Sequence, residues 1–277
     1  MAYLKVAKEN SADVELYYED RGSGTPVLLV HGWPLNGASW ERQSAALLAA
    51  GFRVITYDRR GFGRSSKPYE GYNYDTLARD TATLIETLGL ENLALFGFSM
   101  GGGEVARYMG KYNEGRVSRC GFISSIAPVL RKDGGNPEGV DPAVFEQIKG
   151  TIEEDRFDQL QGFLKLFYNQ TMLKHAVSQG KLDADFMVAS QSGYSAMLFC
   201  VDAWLEDFRE DVQQIQVPTL VIHGDSDQIV PFENSGARMP KLVPTAKLHV
   251  VKDGPHGLIW THAAEVNTAL LEFLNAR

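Results

Sequence analysis

The chain has 277 residues, enough for one large α/β domain with an insertion and for a core able to hold a strained turn. It is 44% hydrophobic and 22% charged, which argues against disorder. Its net charge of −8, with no basic cluster, argues against a nucleic-acid partner.

In chain order, Leu4–Ala7 and Val14–Glu19 read as antiparallel edge strands, closed by the turn cluster Gly22-Ser-Gly-Thr-Pro26. Next come short apolar runs without alternation: Val27–Val30, Val54–Tyr57, Leu93–Phe96, Val117–Ile123, Thr219–Ile222 and Leu248–Val251. Such runs suit strands buried on both faces of a largely parallel sheet. Between them Trp40–Ala50, Asp75–Leu88, Gly102–Lys111, Phe232–Leu242 and His262–Leu274 keep their apolar residues on one helical face. The alternation predicts an α/β fold with about eight strands and helices on both sides of the sheet.

From about Pro128 to Val212 no buried strand is legible. Helical patterns instead cover Ala143–Glu154, Phe157–Tyr168, Asp183–Ser190 and Ser195–Trp204. We read residues 128–212 as a helical cap inserted into a core of residues 1–127 and 213–277, over the carboxyl ends of the strands. Its Phe163, Phe167, Met172, Phe186, Met197, Phe199 and Trp204 serve either the cap's own core or a pocket beneath it. Phe163, Phe167, Met197, Phe199 and Trp204, with Pro34, Ile229 and Leu258, are the expected pocket lining.

Gly97-Phe-Ser-Met-Gly101 lies between a buried strand and an amphipathic helix, the setting of a nucleophile elbow. Side chains at Gly97 and Gly101 would clash there, and Ser99 would stand above the sheet at a helix N-terminus. Serine needs a base. Among the histidines, His31 and His223 end strands, His249 lies within one, and His175 and His262 lie in helical patterns. His256, in the flexible turn Asp253-Gly-Pro-His-Gly257 after the last strand, is free to reach Ser99. The acid should come from His223-Gly-Asp-Ser-Asp227. We favour Asp227 over Asp225, which lies nearer the strand and is expected to bond backbone amides of its own turn. The backbone N–H groups of Met100 and Trp33 are the expected oxyanion donors, since Pro34 has none. Tyr57-Asp-Arg-Arg-Gly-Phe-Gly63 lacks the lysine and third glycine of a phosphate loop. It reads as a structural brace through Asp58 and Arg59.

Cys120 and Cys200 read as reduced core residues. No cluster has metal-ligand spacing, so neither metal nor cofactor is expected. No run is long enough to span a membrane, and the N-terminus lacks a secretory pattern, so a cytoplasmic protein is expected.

These motifs, with His31-Gly-Trp-Pro-Leu35 and Gly97-Phe-Ser-Met-Gly-Gly-Gly-Glu104, resemble the cofactor-free haloperoxidase/perhydrolase and aryl-esterase branch of the α/β-hydrolase superfamily. The resemblance spans essentially the whole chain. It implies hydrolysis of small carboxylic esters, with lactam opening as an alternative. It also implies peracid formation from carboxylic acids and hydrogen peroxide, without haem or metal, in a homo-oligomer. Pro34 after Trp33 matches the peroxidase-active members. Haloalkane dehalogenases and epoxide hydrolases of similar fold use an aspartate where this chain has Ser99, and hydroxynitrile lyases lack the pattern around His256. A hormone receptor of this fold, with an intact triad and slow turnover, is the non-enzymatic alternative.

Overall fold

The computed structural model describes residues 2–171, 173 and 176–276; Met172 and His175 lie outside them. In chain order the strands are β1 (Ala2–Glu9), β2 (Ala12–Arg21), β3 (Pro26–Val30), β4 (Arg53–Tyr57), β5 (Leu93–Phe98), β6 (Val117–Ile123), β7 (Thr219–Gly224) and β8 (Ala246–Val251). They form one eight-stranded sheet in the order β1-β2-β4-β3-β5-β6-β7-β8. β1 pairs antiparallel with β2, and β2 with β4; every pairing from β4 to β8 is parallel.

The helices are α1 (Glu41–Ala49), α2 (Tyr74–Thr87), α3 (Met100–Lys111), α4 (Pro142–Phe167), α5 (Gln179–Ser190), α6 (Tyr194–Ala203), α7 (Arg209–Gln213), α8 (Met239–Leu242), α9 (Leu258–Thr261) and α10 (Ala263–Asn275). α1 packs with α10, and α3 with α2 and α7. Strands β3, β5 and β7 are buried at almost every position, as continuous apolar runs require of a sheet covered on both faces. Register brings the functional loops together. Val30 at the end of β3 lies opposite Gly97 of β5, and Gly224 at the end of β7 lies opposite Val251 of β8. The loops after β3, β5, β7 and β8 therefore leave the same end of the sheet.

α4, α5 and α6 lie between β6 and β7 in sequence, and α4 packs on both of the others. The two helical patterns 143–154 and 157–168 form a single run kinked at Asp155, whose backbone is extended (φ −154, ψ 94). The Asp155 Oδ1 accepts the Phe157 and Asp158 N–H groups at 2.9 and 3.2 Å, capping the second half.

Two expectations need correction. Phe232–Leu242 is not one helix but two short 3-10 turns followed by α8. Ser235 leaves helical angles (φ −132, ψ −90), and its hydroxyl donates instead to the carbonyls of Ser125 and Ala127. β8 is an edge strand with exposed Leu248 and Val250 rather than a strand buried on both faces. Among the described residues, no helix is long and apolar enough to cross a membrane.

Candidate active site

β5 runs straight into Ser99, whose backbone is left-handed (φ 55, ψ −121), and α3 begins at Met100. A Cβ at Gly97 would meet the Gly101 carbonyl oxygen at 2.3 Å; one at Gly101 would meet the Val30 oxygen at 2.4 Å. No side chain fits at either position, so strand and helix approach as closely as their backbones allow. A non-glycine residue at positive φ costs on the order of 1–3 kcal/mol, here imposed by the surrounding fold. The Ser99 N–H donates to the Ile123 carbonyl at 2.9 Å, which secures the turn to β6.

Three loops then converge. His256 Nε2 lies 2.8 Å from Ser99 Oγ, and its Nδ1 lies 2.7 Å from Asp227 Oδ2. All three side chains are buried. Asp227 Oδ1 accepts the N–H groups of Ile229 and Val230 at 2.9 and 2.8 Å, and His223 Nε2 stands 3.3 Å from Oδ2. Burial raises the Asp227 carboxyl, but the His256 charge and the bonds from His223 and His256 outweigh it and hold it well below the usual carboxylate range. The His256 ring sits between Phe98 and Phe167, with both centroids at 5.2 Å. The Gly257 N–H donates to the Phe167 carbonyl at 2.8 Å. This is the arrangement in which an imidazole of fixed tautomer can take a serine proton.

The other titratable residues lie elsewhere. Asp225 Oδ1 accepts the N–H of Asp253 at 2.7 Å, so it joins the β7 loop to the histidine loop rather than bonding amides of its own turn. His249 pairs with Glu265 at 2.9 Å on the surface, and His262 contacts Thr261. The His31 ring is buried, and burial, then the Arg59 charge, holds its pKa well below the ordinary value. Burial pushes the Cys120 and Cys200 thiols up to about 12.

The loop after β3 passes directly over the elbow: a Cβ at Gly32 would lie 2.9 Å from the Ser99 Cβ. Trp33 follows and is buried, while Met100, the first residue of α3, carries one of the N–H groups that helix geometry leaves without an intrahelical partner. The Tyr57–Gly63 segment holds this loop in place. The Arg59 N–H donates to His31 Nε2 at 2.9 Å, and its guanidinium donates to the His31 carbonyl and to Glu104 Oε2, each at 2.7 Å. Asp58 accepts the N–H groups of Gly37 and Arg64 at 2.9 and 2.8 Å. Glu104, one turn past the elbow on α3, also accepts from Tyr57 and Thr81. No role for Glu104 is legible in sequence beyond its place in the motif; a carboxylate facing inward from a glycine-rich helix is the one available hint.

A cavity of about 450 Å³ opens beside Ser99, within the range of small-molecule sites. Of the expected lining, Phe163, Trp204 and Ile229 are there, and Trp33 packs edge-on against Phe163 and Trp204 at 4.8 and 5.1 Å. The other expected residues lie elsewhere. Phe167 flanks His256, Met197 and Leu258 are fully buried in the core, and Phe199 packs on Tyr69 and Tyr72 beside a separate surface groove. Pro34 is buried outside the lining, its carbonyl accepting from Ser192 at 3.2 Å. Helical periodicity marks such residues as inward-facing, yet it does not separate the pocket from the cap's core. Thr151, Gln159 and Gly162 do line the cavity, and no hydrophobic pattern flags them.

A family model described as the alpha/beta hydrolase fold matches residues 25–263. A bromoperoxidase from Bacillus anthracis, known as a crystal structure, is 46% identical, with 99% of each chain covered and a TM-score of 0.95. A non-heme chloroperoxidase from Kitasatospora aureofaciens is 39% identical over 95% of this chain and 96% of its own. A bifunctional esterase/perhydrolase from Acinetobacter calcoaceticus is 34% identical, covering 95% of this chain and 97% of its own.

Proposed function

We propose, from the premise that this chain belongs to the alpha/beta hydrolase fold family, that it is a serine esterase acting on small carboxylic esters, with perhydrolysis as a second activity. The observation that carries this reading is the hydrogen-bonded chain from Ser99 through His256 to Asp227 at the wall of a largely apolar cavity. Ser99 Oγ attacks the ester carbonyl as His256 Nε2 takes its proton. The backbone N–H groups of Trp33 and Met100 receive the developing oxyanion; a single such donor is worth on the order of 10²–10³ in rate. The protonated imidazole, held by ionised Asp227, returns the proton to the leaving alcohol, and an acyl group remains on Ser99. Water, activated in turn by His256, releases the acid.

Hydrogen peroxide in the place of water would release a peracid. The names of the chloroperoxidase, bromoperoxidase and perhydrolase relatives support this branch. Buried Pro34 bears on it: proline fixes its own φ and restricts Trp33, which keeps the Trp33 carbonyl aimed in one direction, available to a second hydroxyl. We also assign residues 128–212 as a cap on a core of 1–127 and 213–277.

The test measures aryl-ester hydrolysis in wild type and Ser99→Ala, with organophosphonate labelling followed by peptide mapping. Triad members act as a unit, so a loss on the order of 10⁶ and labelling at Ser99 alone are expected. Retention of more than about a hundredth of the rate would refute the assignment. With acetate, peroxide and bromide, the wild type should halogenate an indicator dye, and Pro34→Leu should lower the ratio of perhydrolysis to hydrolysis. An unchanged ratio makes the proline a turn residue only.

A further inference from the structure

One wall of the cavity beside Ser99 is built by both halves of α4, on either side of the Asp155 kink. The first half of the helix contributes Phe145, Ile148 and Thr151 to its wall, and the second half contributes Gln159, Gly162, Phe163 and Leu166. The latter four follow helical spacing and form a single stripe along one face. Thr151 and Gln159 join across the kink at 2.9 Å. In that stripe only Gly162 lacks a side chain; the position is exposed, at the rim of the cavity, and a Cβ built on it would meet no heavy atom within 4 Å beyond its own stretch of helix. Glycine is, after proline, the residue least suited to a helix interior. Neither a close approach of backbones nor a positive φ requires it here. What the missing side chain leaves is room at the mouth of the cavity.

The lining is also uncharged. Among the described residues it consists of apolar side chains with a few hydroxyl and amide groups, and contains no Lys, Arg, Asp or Glu. An ionised group brought into this cleft would lose water without gaining a counter-ion. A volume of about 450 Å³ is many times that of an acetyl group, which would leave most of the cleft unfilled.

We propose that Gly162 is a specificity-determining residue, and that the cleft it widens takes the longer, uncharged apolar arm of an ester or lactone whose carbonyl is attacked by Ser99. This rests on the esterase reading above and adds the substrate class to it. A long neutral arm gains contact with Phe145, Ile148 and Leu166 as it extends, at about fourfold in kcat/KM for each methylene buried. A side chain at position 162 shortens the cleft and removes that gain.

The test uses two ester series, because either substituent of the ester can supply the long arm. One runs from p-nitrophenyl acetate to p-nitrophenyl octanoate, the other from ethyl acetate to octyl acetate, followed by pH-stat. In wild type, kcat/KM should climb at least about tenfold along one series. The analogue of that long arm ending in a carboxylate should fall about 100-fold below its neutral counterpart. Gly162→Leu should cut the long-to-short ratio at least about tenfold. Gly150→Leu, equally exposed on α4 but outside the lining, should leave the ratio alone. Gly162→Ala keeps the experiment decisive if the leucine variant folds poorly. It should melt about 2 °C above wild type while lowering the ratio in part, a combination that a purely structural glycine does not give. A ratio unmoved by Gly162→Leu and Gly162→Ala, or moved equally by Gly150→Leu, overturns the inference. So does a flat chain-length profile in both series with Ser99-dependent turnover, which leaves the esterase reading intact. Full hydrolysis by Ser99→Ala would sink that reading instead.

Discussion

Replacing Asp227 by asparagine alters one atom, and the hydrogen bonds around it dictate the consequence. Oδ1 accepts two backbone N–H groups, from Ile229 and Val230. The asparagine must therefore keep its oxygen there and turn its amide nitrogen toward His256, 2.7 Å away at the present Oδ2 position. An amide nitrogen only donates. His256 Nδ1 must then become an acceptor, which moves the ring proton to Nε2 and aims it at Ser99 Oγ, so the base can no longer take the serine proton. Restoring the working tautomer requires flipping the amide, which leaves the two backbone donors facing an NH₂ group. At about 1–3 kcal/mol for each unsatisfied buried group, the flip costs about 2–6 kcal/mol. This corresponds to a loss of roughly 30-fold to 10⁴-fold in kcat. Loss of the anion opposite the imidazolium pushes the value toward the upper end, on the order of 10⁴. The assay is p-nitrophenyl acetate hydrolysis by a variant whose circular dichroism and melting show it folded. Activity within tenfold of wild type, or a larger loss in Asp225→Asn, would refute the reasoning and hand the orienting role to Asp225.

Glu104→Gln should destabilise the protein by roughly 3–5 kcal/mol in denaturant titration, because it leaves the Arg59 guanidinium buried without its counter-ion; a change below about 1 kcal/mol counts against the brace. Asp227 has a folded-state pKa below its ordinary 3.8, so its ionised form contributes stability that is complete above that value and lost as pH falls through the folded one. The melting-temperature gap between wild type and Asp227→Asn should accordingly hold steady above about pH 5 and shrink as pH falls below about 4, and a widening gap would contradict the sign.

The strands and the elbow were readable because their signals are local. A strand buried on both faces needs an unbroken apolar run, and a serine at positive φ between two approaching backbones needs Gly97 and Gly101. That Asp227 and His256 come within reach of Ser99 was readable from their place in the loops after β7 and β8. The pocket was harder. Phe167 and Phe163 lie four residues apart on one helix, yet one flanks the histidine and the other the cavity, because the end of α4 meets the histidine loop while the turn before it faces the cavity. Gly162 and Thr151 escape because an empty position and a hydroxyl leave no trace in an apolar period. The broken helix at 232–242 escaped because the Ser235 hydroxyl takes carbonyls from a segment more than a hundred residues away.

The bond from Gly257 to the Phe167 carbonyl, with the Tyr168 hydroxyl donating to Asp185 at 2.6 Å, has a practical consequence for domain grafting. The last turn of α4 is bonded to the histidine loop although it is encoded within residues 128–212, the segment we assign as a cap. Transplanting helices between relatives with the seam drawn before Phe167 keeps His256 in its native seat. A seam drawn after Tyr168 imports a foreign backing for the imidazole, and on the proposed mechanism such a chimera should lose activity while Ser99, His256 and Asp227 are all still in the chain.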